Sequence, residues 1–118
     1  MVNELYTGRP FIKLFEDINC TKELNVDLFD CYVTTVQVIS GISDIIFKRK
    51  IYIKNVGSHK AYNVKVTAMF DDNDVESSLE CETIMPLEVV EFKLSIPIVK
   101  GQTMARTLSY KIDYDTIP

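Results

Sequence analysis

Apolar and polar residues alternate with a period of two along most of this chain, and the alternation predicts strands. In KIYIKN, Ile51 and Ile53 point one way while Lys50, Tyr52 and Lys54 point the other. AYNVKVTAMF continues the pattern, with Tyr62, Val64, Val66, Ala68 and Phe70 expected inward and Asn63, Lys65, Thr67 and Met69 outward. VVEFKLSIPI sets Val90, Phe92, Leu94, Ile96 and Ile98 against Glu91, Lys93 and Ser95, and TLSYKIDYD repeats this with Leu108, Tyr110, Ile112 and Tyr114. These four segments read as half-buried antiparallel strands.

FIKLF at 11–15, ELNVDLF at 23–29, YVTTVQVIS at 32–40 and ESSLECETI at 76–84 add further strands, since β-branched and aromatic residues fill their apolar positions. Helix is confined to a turn or two near SGISDII, and Met69, Ile42, Ile45 and Ile46 read as packing residues. Gly41, Gly57-Ser58, the run Asp71-Asp72-Asn73-Asp74, Met85-Pro86 and Gly101 supply turns. Seven to eight short strands, spaced roughly 10 residues apart, predict an all-β fold, an immunoglobulin-like antiparallel β-sandwich; a jelly roll or small barrel is the alternative. No internal repeat or low-complexity linker divides the 118 residues, so a single domain over 1–118 is expected.

Composition narrows the function classes. With 47% hydrophobic and 25% charged residues the chain is too apolar for disorder. A net charge of −4 gives no long-range positive field, so nucleic acid is not an expected partner. No apolar run reaches the ~20 residues of a membrane-spanning helix, and the start lacks a secretory signal, which predicts no membrane insertion and a cytoplasmic origin unless a leader has been removed. Cys20, Cys31 and Cys81 form no CxxC or Cys/His spacing, so free, mostly buried thiols are expected and zinc is not.

IYIKNVGSHKAYNVKVTAMFDD followed by MPLEVVEFKLSIPI resembles the CARDB-type immunoglobulin-like domain, in which a strand ending Lys-Asn-x-Gly precedes Ala-x-Asn-Val-x-Val. The matching positions are Lys54, Asn55 and Gly57, then Ala61, Asn63, Val64 and Val66. A Leu-x-Pro-Gly-Glu turn of the family corresponds to Met85, Pro86, Leu87 and Glu88, with leucine in place of glycine. The resemblance spans about 47–98 and implies a fold more than a task. Asn55 and Gly57 both suit left-handed backbone in a tight turn, so a structural role is expected for them. The front of the chain, FIKLFEDINCTKEL, is similar to small stand-alone proteins encoded among phage virion genes. That likeness implies a head decoration or tail accessory protein, localised to the virion, with a viral capsid or tail protein, or a second copy of itself, as partner.

Candidate chemistry is sparse. Asp71, Asp72, Asp74 and Glu76 in FDDNDVE offer oxygen ligands for Ca²⁺, but an Asp/Asn-rich hairpin turn needs no metal, and no cofactor is expected. His59, the only histidine, sits beside Ser58 without a recognisable catalytic motif, so no enzyme is expected. Lys50, Tyr52, Lys54 and Lys65 are the candidate partner-binding residues: on adjacent strands they would share one basic face that either stays solvated or docks on an acidic surface. The strand bearing Tyr110 and Tyr114 is expected either to leave an open edge or to close against the first strand. Two readings result: a non-enzymatic structural protein of a larger assembly, and an envelope or extracellular module binding carbohydrate or calcium.

Overall fold

The computed structural model describes residues 8–26, 32–39, 45–70, 76–98 and 103–116. Seven strands form two antiparallel sheets: β1 (Ile12–Phe15), β2 (Tyr32–Ile39), β3 (Ile45–Asn55), β4 (Ala61–Phe70), β5 (Glu76–Ile84), β6 (Val89–Ile98) and β7 (Thr103–Asp115). One sheet has the order β1-β3-β6, the other β2-β7-β4-β5. The expected all-β sandwich is therefore present, and no helix occurs among the described residues. The 27–29 part of the expected 23–29 strand, Cys31, Gly41, Ile42, the 71–74 turn and Gly101 lie outside the described residues, as do the side chains of Ile45 and Ile98.

Alternation built the core. Leu14, Ile51, Ile53, Phe92, Leu94 and Ile96 from the three-stranded sheet meet Val64, Val66, Ala68, Phe70, Ile84 and Leu108 from the other. Phe47 and Phe70 stack edge to face across the gap, with centroids 5.3 Å apart. Removing such surface from water stabilises the fold by roughly 1.5–3 kcal/mol per large apolar side chain.

Several expectations need correction, among them Thr67, expected outward but buried. Strict alternation placed Tyr62 inward, yet Ala61 is fully buried and Tyr62 only half so. A β-bulge between Tyr62 and Lys65 against β7 shifts the phase, with Asn63 taking left-handed backbone at φ 51°. Asparagine tolerates that conformation, and its Nδ2 donates to Asp115 Oδ2 at 2.8 Å. The last strand neither lies at an edge nor closes on the first: β7 pairs with β2 on one side and β4 on the other.

The segment after β1 fastens one side of the sandwich. Asp17 accepts the Thr21 hydroxyl together with the amides of Thr21 and Lys22. Leu24 N–H donates to Leu14 O and its side chain enters the core, while Val33 N–H donates to Asn25 O in the direction of the other sheet. Of the strand expected at 23–29, the described part makes only isolated bridges, Phe15 to Glu23 and Val26 to Tyr32.

Between β3 and β4 the chain changes sheets, and one side chain organises the crossing. Asn55 is fully buried. Its Oδ1 accepts Phe11 N–H at 3.2 Å and Gly57 N–H at 2.9 Å, while its Nδ2 donates to His59 O at 2.8 Å and Ile84 O at 3.0 Å. All four hydrogen-bonding positions of the amide are filled. Gly57 is not in left-handed backbone, contrary to the sequence expectation, and neither is Asn55. Glycine is required at 57 because a Cβ would lie 2.5 Å from Phe11 N, 2.7 Å from Pro10 C and closer still to Arg9 O, all unyielding backbone.

Asn55→Ala is expected to cost on the order of 3–5 kcal/mol, because it orphans two donors and two acceptors, of which Gly57 N–H and Ile84 O are bonded in buried positions. Urea unfolding followed by circular dichroism measures it; a loss below about 1 kcal/mol contradicts the assignment. Thr21→Val supplies a second check. The Thr21 hydroxyl, followed by the Lys22 amide, holds the Asp17 carboxyl below its ordinary value. A depressed carboxylate stabilises its loop above the ordinary carboxyl range, and the contribution disappears as pH falls through the lowered pKa. Carboxyl NMR titration of Thr21→Val should therefore find the Asp17 pKa moved upward.

Candidate docking surface

Because β3 and β4 lie in different sheets, the four lysine and tyrosine candidates do not share a face. Lys50, Tyr52 and Lys54 occupy the outer surface of the three-stranded sheet. Lys65 belongs to the four-stranded sheet, 3.8 Å from Glu80 and opposite Asp113. The expected single face required a β3–β4 hairpin, which the crossing at Asn55 replaces. Tyr52 is half-buried rather than exposed, between Phe15 and Glu91.

Pairing brings other lysines in. Lys13 lies directly opposite Lys54, Lys50 opposite Lys93, and Lys48 opposite Ser95. Like charges directly opposed across strands destabilise a sheet. Single carboxylates moderate the two lysine pairs: Glu91 lies 3.6 Å from Lys50 and 3.7 Å from Lys93, and Glu23 lies 3.3 Å from Lys13. Such partly exposed ion pairs contribute little, so a basic surface remains. A depression across β3 and β6 is lined by Lys48, Arg49, Lys50, Lys93, Leu94 and Ser95. At its rim Arg49 reaches Glu16 at 3.3 Å.

One end of this surface carries a strained turn. Glu88 N–H donates to Met85 O at 3.0 Å, Pro86 takes the second position, and Leu87 has φ 68° in the third. This is a type II turn, whose third position favours glycine. Leucine there is 70% exposed, with Met85 and Val89 exposed beside it and Val89 directly opposite Lys54. The turn is held from both ends, by Leu87 N–H to Asn55 O at 2.7 Å and Met85 N–H to Glu88 Oε1 at 2.8 Å.

The remaining candidates do not assemble. Glu76 is exposed at the start of β5, while Asp71, Asp72 and Asp74 lie outside the described residues. Among the described residues no three His, Cys, Asp or Glu side chains are grouped to hold a metal. His59 Nδ1 lies 3.0 Å from Ser58 Oγ, but that oxygen accepts Gly8 N–H and no carboxylate is bonded to His59 among the described residues. The thiols of Cys20 and Cys81 are free and half-buried, and burial raises both above the ordinary thiol range. Met69 and Ile46, expected in packing, are exposed.

A scan against protein-family models finds no match for the chain, and a search of curated proteins finds none either. Sequence reasoning missed Lys13, Lys93 and Leu87. Alternation had already turned Lys93 outward; its neighbour across the sheet was the missing fact. For Leu87 the signal was the departure from glycine after Pro86.

Relieving left-handed strain is worth roughly 1–2 kcal/mol, and glycine's extra unfolded-state freedom costs roughly 0.5–1 kcal/mol. Leu87→Gly should therefore leave stability unchanged or raise it by up to about 1 kcal/mol, although it deletes a leucine side chain. Thermal unfolding decides; a marked drop means that Leu87 packs.

Proposed function

We propose that this chain is a non-enzymatic structural protein that docks on a larger assembly through the outer surface of its three-stranded sheet. The observation that carries this reading is stability given up along one surface: lysines directly opposed in two pairs, with an exposed leucine in a left-handed turn at their edge. Neither feature serves the fold. Together they provide what an interface uses, an apolar anchor beside charges that select an oppositely charged partner.

The most concrete assembly is a phage virion, with the chain as a head decoration or tail accessory protein bound to a capsid or tail subunit. The similarity of the N-terminal segment to small virion-encoded proteins supports that choice, as does the resemblance of 47–98 to CARDB-type immunoglobulin-like domains. On this reading the protein is found with the virion, and its partner offers carboxylates around an apolar pocket.

Quantitative mass spectrometry of purified particles from the source system tests it. A fixed ratio of this chain to a capsid or tail subunit is the expected result, and the ratio should fall at least tenfold for a chain carrying K50E and K93E, the effect of losing about 1.4 kcal/mol of binding. Absence of the chain from particles contradicts the virion assignment.

A further inference from the structure

The two outer surfaces of the sandwich carry opposite charge. On the three-stranded sheet Lys13, Lys48, Lys50, Lys54 and Lys93 outnumber the carboxylates Glu91 and Glu23 among the described residues. On the four-stranded sheet register places Glu76, Glu80, Asp113 and Asp115 around Lys65 and Lys111. The inward phase of each sheet fills the core, so these surfaces point in opposite directions. A chain of net charge −4 thus concentrates lysine on one side and carboxylate on the other.

We infer that a second copy of this chain is the acidic partner of the lysine surface: its four-stranded sheet seats on the three-stranded sheet of the first. The inference rests on the docking reading above: copies stack on one another, and the copy at the end of the stack keeps the lysine surface that meets the capsid or tail subunit. The contact is heterologous, so a pair of copies keeps one free surface of each sign and the association continues into a ring or a stack. Its strength follows from size. With 4 residues in β1, 11 in β3 and 10 in β6, the sheet covers about 400 Å² on each partner at ~3.3 Å per residue and ~4.8 Å per strand. The total of about 800 Å² falls short of the roughly 1,000 Å² of a stable specific interface. A single contact is therefore weak and salt-sensitive, and repetition makes the assembly hold.

Lysines scattered along the edge strands β1 and β6 would serve solubility alone, but Lys13 and Lys93 each lie directly opposite a lysine of the central strand β3, at a cost that scattering would avoid. Among the described residues of the acidic surface only Lys65 and Lys111 dilute the carboxylates, and each already has one, Glu80 and Asp113, at 3.8 Å. Polarity of the whole surface, rather than one ion pair, is the recognition element.

Charge reversal tests the contact on the purified chain. Lys50, Lys93, Glu80 and Asp113 are all exposed, so K50E/K93E and E80K/D113K should both fold, as circular dichroism checks. In sedimentation velocity the unaltered chain should associate with rising concentration in low salt and revert to monomer at about 0.5 M salt, where screening is nearly complete within 4–5 Å. Each variant alone should remain monomeric, because one of its two surfaces has lost its excess charge, and an equimolar mixture should associate through the surface that each variant leaves unaltered. A monomeric unaltered chain at the highest soluble concentration in low salt overturns the inference, as does a folded mixture that stays monomeric, or association that neither salt nor charge reversal weakens. Incorporation of the unaltered chain into particles together with any of those results would leave the docking reading standing and remove only the self-contact.

Discussion

The carboxamide of Asn55 is the constraint on which the rest of this architecture depends. Fully buried, it joins the residues before β1, the turn after β3, the approach to β4 and the end of β5. Its backbone does the same for the β5–β6 turn, receiving Leu87 N–H and donating to Glu88 O. A buried amide with every position filled rigidifies its surroundings, whereas one left half-filled costs more than an apolar residue. Geometry this demanding admits one arrangement of the five segments. It carries the chain from one sheet to the other and brings Gly57 so close to Arg9, Pro10 and Phe11 that no side chain fits.

The surface features follow from that arrangement. Since the crossing puts β3 beside β1 and β6 rather than β4, the lysines of three strands that are distant in sequence line up in register. Since the β5–β6 turn is tied to Asn55, Leu87 is displayed on a rigid support instead of a loose loop, and a preorganised anchor loses less entropy on binding. The lysine pairs and the left-handed leucine both lower stability, by an amount that a well-filled core and a saturated amide can absorb.

Period-two patterning made the fold class readable, together with the inward residues of β3 and β6, because a sheet with one dry face leaves its sign on every second residue. It failed locally at Tyr62, where a bulge alters the phase without altering the composition. Strand neighbours were not legible at all: alternation says which face a lysine takes, and not which strand lies beside it. Two signals were present in the letters. Pro97 within VVEFKLSIPI marks an edge strand, which β6 is, and would have argued against enclosing it between others. Leu87 after Pro86 occupies a glycine position, and such a local violation points to a functional surface when it is also exposed.

Amine-reactive labelling of the chain, free and assembled in particles, measures the central claim directly by reading each lysine's accessibility. The account predicts that Lys48, Lys50 and Lys93 are strongly labelled in the free chain and protected in the assembled one. Equal labelling of these three lysines in both states would contradict it.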